Sequence, residues 1–327
     1  MNFRIFTILL AAIIALGCRQ PDRTVTPPIS SANSEQSRSG VGAETGFDGQ
    51  KAFAHVRAQV EFGPRPAGSE ALERTRGYLL AQLRSYGLKP RLDEFSPVTP
   101  KGRVKMKNII AEIPGRQPET IIIASHYDTK EFADFRFVGA NDGGSSTGIL
   151  LELARVLAST ATTRSLTLQL VFFDGEEAFC REWSECLEGN DNTYGSRHLA
   201  EQISRSGKSG QYKAMILLDM VGDRNLAIPR EENSSPWLVN AIWQTAREIG
   251  LSQHFPNSTH WMTDDHLPFL KAGISAVDLI DFDYGDDSES YWHTSKDTLD
   301  KIDPRSLQVV GDVVLRSLPR IETITRP

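Results

Sequence analysis

Two kinds of hydrophobic pattern alternate along the chain. Short, nearly continuous apolar runs at Met106 to Ile113, Thr120 to Ser125, Leu166 to Phe173, Ala214 to Leu218 and Ser275 to Ile280 predict strands. A strand covered on both faces of a sheet needs no polar alternation. Between these runs, apolar residues recur at helical spacing. Residues 51–61 carry Phe53, Val56 and Val60, and the stretch from Ser69 to about Tyr86 carries Leu72, Leu79, Leu80 and Leu83. Gly143 to Ala158 carries Ile149, Leu150, Leu153, Val156 and Leu157. Further helices are predicted over 195–204, 236–250, 264–272 and 304 to about 321. Ser69 has the chemistry of an N-cap and Gly87 that of a stop. Strand–helix alternation of this kind implies an α/β fold: a three-layer αβα arrangement whose mostly parallel central sheet has helices on both faces. The pattern contains no internal repeat, and residues 48–327 read as a single domain.

The strands end in metal-ligand chemistry. Leu166 to Phe173 runs directly into Asp174-Gly175-Glu176-Glu177. Three acids on one turn repel one another and stay in water unless something cationic holds them. The Thr120 strand ends in His126-Tyr127-Asp128, and Asn141-Asp142-Gly143-Gly144 opens the next helix. Ala214 to Leu218 ends in Asp219, and the last strand leads into a loop that reaches Trp292-His293. In open parallel sheets ligands bind at the carboxyl edge of the strands. The set His126, Asp142, Glu177, Asp219 and His293 has the imidazole-plus-carboxylate character of a zinc site. Three protein ligands suffice for a catalytic zinc, and Glu176 would then face the open position as general acid and base. Each residue also has an ordinary explanation. Asp142 could cap a helix, Asp219 could pair with an arginine, and His126 could sit satisfied in the core. Their joint occurrence at strand ends is the argument.

Composition removes some functions and adds an address. The 327 residues carry a net charge of −6 and a pI near 5.7, which excludes nucleic acid as the expected partner, since phosphate binding needs a basic face. At the N-terminus Arg4 precedes an apolar run from Ile5 to Leu16 and then Gly17-Cys18. That run is too short for a stable membrane span but suits a signal-peptide core. Ala15-Leu16-Gly17-Cys18 resembles the lipobox of bacterial lipoproteins, with Cys18 as the lipid-bearing residue; an ordinary secretory signal is the alternative. Residues 1–18 are therefore expected to be a lipoprotein signal segment and 19–47 a flexible tether. The expected location is a bacterial membrane facing the periplasm or the exterior. In such an oxidising compartment Cys180 and Cys186 are expected to close a small loop beside the acidic turn, two free thiols being the other possibility.

The motifs together resemble the zinc aminopeptidase-type exopeptidases, and within them the glutaminyl-peptide cyclotransferase (glutaminyl cyclase) branch. The matching stretches are ASHYDTK at 124–130, VGAND at 138–142, FFDGEEAF at 172–179, YGSRHLA at 194–200, LLDM at 217–220, DDHLPFL at 264–270 and WHT at 292–294. They occur in order over about residues 50–325. The resemblance implies cyclisation of an N-terminal glutamine of peptides or proteins to pyroglutamate; a monomer is expected. It implies one zinc on Asp142, Glu177 and His293, Glu176 as proton shuttle, and Asp219 with Asp265 as a hydrogen-bonded acid pair beside the substrate amide. Trp292 would line the pocket and bond the substrate carbonyl. Trp183 would form a wall, although it stands one residue further from Glu177 than in the animal enzymes. The cysteine pair of the animal cyclases is replaced by Ser125 and Thr147, and the aromatic expected before Trp292 by Ser288. A two-zinc aminopeptidase, with His126 and Asp219 as extra ligands and Asp142 bridging, is the alternative. A non-enzymatic binding lipoprotein is a third reading, disfavoured by the retained Glu176.

Overall fold

The computed structural model describes residues 45–160, 164–286 and 289–326. Helices α1 (Gly49–Glu61) and α2 (Glu70–Ser85) precede strand β1 (Arg91–Phe95) and a hairpin of β2 (Val98–Thr99) and β3 (Gly102–Arg103). Strands β4 (Met106–Ile113) and β5 (Gln117–His126), helix α3 (Gly144–Ser159) and strand β6 (Leu166–Phe173) follow. Next come α4 (Tyr194–Arg205), β7 (Tyr212–Asp219), β8 (Arg230–Glu231), α5 (Pro236–Glu248), β9 (Thr259–His260) and α6 (His266–Lys271). Strand β10 (Ala276–Ile280), the pair β11 (Gly285–Asp286) and β12 (Glu289–Ser290), and helix α7 (Pro304–Ile324) complete the order.

One sheet runs β1-β4-β6-β5-β7-β10. The pairs β1/β4 and β4/β6 are antiparallel, while β6, β5, β7 and β10 are mutually parallel. Side chains alternate between two cores, as the strand period of two requires. Ile109, Ile121, Ile123, Leu170, Ile216 and Val277 join residues of α1, α2, α3, α5 and α7. Ile110, Ile122, Val171, Met215 and Ala276 instead join Leu199 and Ile203 of α4 and Phe269 of α6. This is the predicted three-layer αβα arrangement. Every residue of β6 is buried, which explains its continuous apolar sequence. The register sets His126 beside Phe173 and Asp219 beside Ile280, so the polar residues after four parallel strands emerge at one edge.

The predicted caps are present: the Ser69 hydroxyl accepts the Leu72 N–H at 3.1 Å, and Gly87 has φ +82°. Strand β1 was not anticipated, because its sequence RLDEF pairs at the sheet edge and is mostly solvated. Phe47, read as tether, is instead 7% exposed and part of the main core, where a Cβ on Gly311 would come within 2.4 Å of its ring. A single aromatic in a polar segment has no periodicity to reveal it. Cys18, residues 19–44 and Ser288 lie outside the described residues. Among the described residues no helix is long and apolar enough to cross a membrane.

Candidate active site

The acidic turn after β6 separates its three acids. Asp174 turns away from the sheet edge into a buried ion pair, with Arg76 Nη2 at 2.8 Å, and also accepts the Lys107 N–H at 2.7 Å and the Tyr127 hydroxyl at 3.2 Å. Glu176 and Glu177 stay at the edge, each 4% exposed. Their backbone N–H groups donate to the two oxygens of Asp128, at 3.2 and 3.3 Å. Asp128, two residues past the end of β5, therefore sets the course of the neighbouring turn.

Asp142 is aimed by the backbone that carries it. Gly143 has φ +71°, and a Cβ there would lie 2.8 Å from both the Asp128 carbonyl and His126 Cε1. Only glycine fits both the left-handed conformation and that close approach. The Asp142 N–H donates to Asp297 Oδ2 at 3.1 Å. Arg65, fully buried, donates to the carbonyls of Tyr127 at 3.0 Å, Val138 at 2.6 Å and Gly139 at 3.0 Å, tying the end of β5 to the loop that leads to Asp142. Its guanidinium is also a buried positive charge among Asp297, Asp128, Asp142 and Glu177, although burial lowers its pKa to about 10.

Two clusters share Asp142. Ligand atoms of Asp142, Glu177 and His293 all lie within 4.8 Å of one another, and so do those of His126, Asp142 and Asp219. In the first, His293 Nε2 is 3.2 Å from Glu177 Oε1 and 3.4 Å from Asp142 Oδ2. His293 has φ +54°; its ring stacks on Trp292 at 3.9 Å and meets Phe132 and Phe137 edge-on at 5.6 and 5.7 Å. In the second, His126 Nε2 is 3.1 Å from Asp219 Oδ1 and 3.2 Å from Asp142 Oδ1.

The electrostatics follow from crowding acids in a buried place. Burial, reinforced by Glu177, Asp264 and Asp265 and opposed by His126, pushes Glu176 well above the usual carboxylate range. Burial acts to lower His293, but Glu177 and Asp142 prevail and raise it to about 9. Burial acts to raise Asp142, yet hydrogen bonds with His126 and His293 hold it well below its ordinary value. Glu177 Oε2 is buried and accepts no hydrogen bond, with only the Lys130 ammonium 3.9 Å away as a countercharge. One imidazole and two carboxylates in mutual reach, with an oxygen among them that lacks a hydrogen bond, fit a zinc ion.

A cavity of about 320 Å³ opens on these groups. Asp142, Glu176, Glu177, Asp219, Trp292 and His293 all line it, and so does Trp183. Asp265 does not. Its neighbour Asp264 lines the cavity, whereas Asp265 is fully buried and accepts the Ser196 hydroxyl of α4. The acid that accompanies Asp219 at the cavity is therefore Asp264, one position earlier. The two acids sit on the turn into α6, where consecutive side chains diverge, and a motif match cannot tell which of them faces inward. The sequence reading also missed Trp261, Met262 and Phe282 in the cavity wall, together with Arg65 and Asp297 behind it. The Asp297 signal was available, four residues after His293, but a lone acid in a polar loop does not stand out. Cys180 and Cys186 form the expected disulfide.

Residues 108–318 match the model of peptidase family M28. A glutaminyl-peptide cyclotransferase of Gloydius blomhoffii is 30% identical over 289 residues, covering 78% of this chain and 76% of that one. A glutaminyl cyclase of an Acidobacteriales bacterium superposes with a TM-score of 0.80 at 37% identity, over 86% of this chain and 97% of that one. A Zn-dependent exopeptidase from Parabacteroides distasonis gives a TM-score of 0.75 at 28% identity, over 86% and 99%.

Proposed function

The chain belongs to peptidase family M28, and from that premise and the chemistry of its sheet edge we propose that it is a zinc-dependent glutaminyl-peptide cyclotransferase. It converts the N-terminal glutamine of peptides or proteins to pyroglutamate and releases ammonia. One observation carries this reading: the carboxyl of Glu176 opens on the same cavity as the Asp142–Glu177–His293 cluster and the acids Asp219 and Asp264.

Asp142, Glu177 and His293 would hold a single zinc per chain. Bound there, the metal supplies Lewis-acid polarisation of the substrate γ-amide carbonyl. Glu176 accepts a proton from the α-amine as its nitrogen forms the new bond to the γ-amide carbon. Its raised affinity for protons suits both halves of the task, because it then gives a proton to the departing amide nitrogen, which leaves as ammonia. Asp219 and Asp264 hold that nitrogen in place. Burial, together with Asp219 and Asp265, raises Asp264 well above its ordinary value, so the pair can share one proton and still accept from the amide N–H groups. Trp292, fixed by stacking on His293, bonds the substrate carbonyl, and Trp183 forms part of the wall.

The second reading, a two-zinc aminopeptidase, is favoured by the His126–Asp142–Asp219 cluster. Elemental analysis and one assay on a glutaminyl naphthylamide separate them. One zinc per chain and ammonia release with the naphthylamide bond intact is the expected result. Two zincs with free naphthylamine would assign the aminopeptidase.

Residues 48–327, with Phe47 packed into the core, form the catalytic domain of a monomer. Export, a lipid on Cys18 and a tether from residue 19 onward belong to the same proposal and rest on the sequence. The protein would face the periplasm or exterior of a bacterial membrane. Labelling with radioactive palmitate, lost in C18S, is the expected outcome.

A further inference from the structure

Burial divides the cavity into a floor and a mouth. Asp142, Glu176, Glu177, Asp219 and Asp264 are all buried, whereas Trp261 is 61% exposed and Arg181 and Glu182 are exposed as well. The floor offers partners for the amine and the amide of an N-terminal glutamine. The mouth has walls for which the reaction has no use, and both walls are braced.

On one wall, Trp261 Nε1 donates to Asn233 Oδ1 at 3.2 Å. Asn233 Nδ2 donates to the Met262 carbonyl at 3.2 Å and to Glu231 Oε1 at 2.8 Å, and Glu231 Oε1 also accepts the Met262 N–H at 3.2 Å. Glu231 is 2% exposed. An exposed indole is thus pinned, through one asparagine, to a buried carboxylate. On the other wall, Arg181, Glu182, Trp183 and Ser184 all line the cavity and all lie between Cys180 and Cys186. Cys180 is anchored in turn, its N–H donating to Asp191 Oδ2 at 2.7 Å and its carbonyl accepting from Lys130 Nζ at 3.0 Å. Aromatic walls held in place bind an apolar side chain with little loss of conformational freedom. The cation at the mouth, Arg181, lies 3.5 Å from Asp134, so an acidic residue finds it already paired.

We propose that the mouth is a subsite for the side chain of the second residue of the peptide, that it takes an aromatic or large apolar one, and that Trp261 is the residue that reads it. This rests on the cyclotransferase reading. The substrate class is accordingly glutaminyl peptides with a bulky apolar residue behind the glutamine.

Ammonia release from Gln-Phe amide and Gln-Gly amide tests it, with the ratio of the two kcat/KM values as the readout. The wild-type enzyme is expected to favour Gln-Phe by about two- to tenfold, the range of a single aromatic pair. W261A is expected to bring the ratio towards one, and W261F to restore most of it. A wild-type ratio of one, or a ratio that W261A leaves unchanged, overturns the subsite while ammonia release still upholds the cyclotransferase. If wild-type enzyme releases no ammonia from either peptide, the cyclotransferase reading fails and the subsite falls with it.

Discussion

Asp297 accepts the backbone N–H of Asp142 at 3.1 Å through one oxygen, and that of Asn141 at 2.7 Å through the other. The Tyr284 hydroxyl donates to the same carboxylate at 2.8 Å. A residue four positions beyond His293 thus braces the peptide that presents Asp142, joining two ligand-bearing loops far apart in sequence. Partners behind a ligand typically change metal affinity by about 10- to 100-fold. D297A is expected to weaken zinc binding within that range in competition with a chromophoric chelator. D297N, which keeps an acceptor, should lie between. Unchanged affinity in D297A would show that the brace is dispensable.

Glu176 is the group expected to move the proton. E176Q keeps its size but cannot accept one, and general acid–base catalysis contributes about 10²- to 10⁴-fold. The expected result is a fall of that order in kcat with zinc content retained. A rate equal to wild type would remove Glu176 from the mechanism.

Asp264 and Asp265 should separate cleanly. D264A, which removes the contact altogether, is expected to lower kcat/KM by at least about tenfold, the scale of one hydrogen bond to a charged group. D265N disturbs the contact with Ser196 and should register chiefly as a lower melting temperature. The reverse pattern would return the role to Asp265.

The Cys180–Cys186 bond closes the loop that carries Trp183. Without it the chain regains freedom worth about 2 kcal/mol in the unfolded state for so short a loop, and the loop itself has few buried residues to hold it. C180S/C186S is expected to raise KM several-fold with much less change in kcat, and to melt at a lower temperature. A KM equal to that of the intact protein would mean that the loop holds its shape unaided.

His55 should make the fold sensitive to acid. Its ring sits between the hydroxyls of Tyr78 at 2.6 Å and Tyr86 at 3.1 Å, and burial, then Arg155, lowers its pKa from 6.5 to about 4. The folded state therefore refuses a proton that the unfolded state accepts. The contribution is present above about pH 6.5 and is lost as pH falls towards 4, amounting to about 3 kcal/mol. The wild-type melting temperature should drop across that window more steeply than that of H55Q. Parallel curves would exclude His55 as the cause.

Local sequence determined the elements of this protein and the residue types at their ends. A run such as LTLQLVFF can be buried on both faces only as a sheet strand, and a serine before a helical stripe caps it, because these outcomes depend on neighbours a few residues away. The convergence of His126, Asp142, Glu177 and Asp219 on one edge followed from the same pattern, since parallel strands deliver their ends together. His293 joined that set for a related reason, since the last strand leads into the loop that carries it.

Tertiary structure alone decided which way individual side chains face. Asp264 lines the cavity and Asp265 meets Ser196 because α4 packs beside the turn into α6, and nothing within that turn records this. Asp174 looked like its neighbours Glu176 and Glu177 until Arg76, distant in sequence, claimed it. Arg65, Asp297 and Trp261 gain their places from partners dozens of residues away, through hydrogen bonds to backbone or to an asparagine side chain that impose no spacing on the sequence. Period and propensity act over a few residues, whereas the aim of a side chain in a site depends on whatever the folded chain brings next to it.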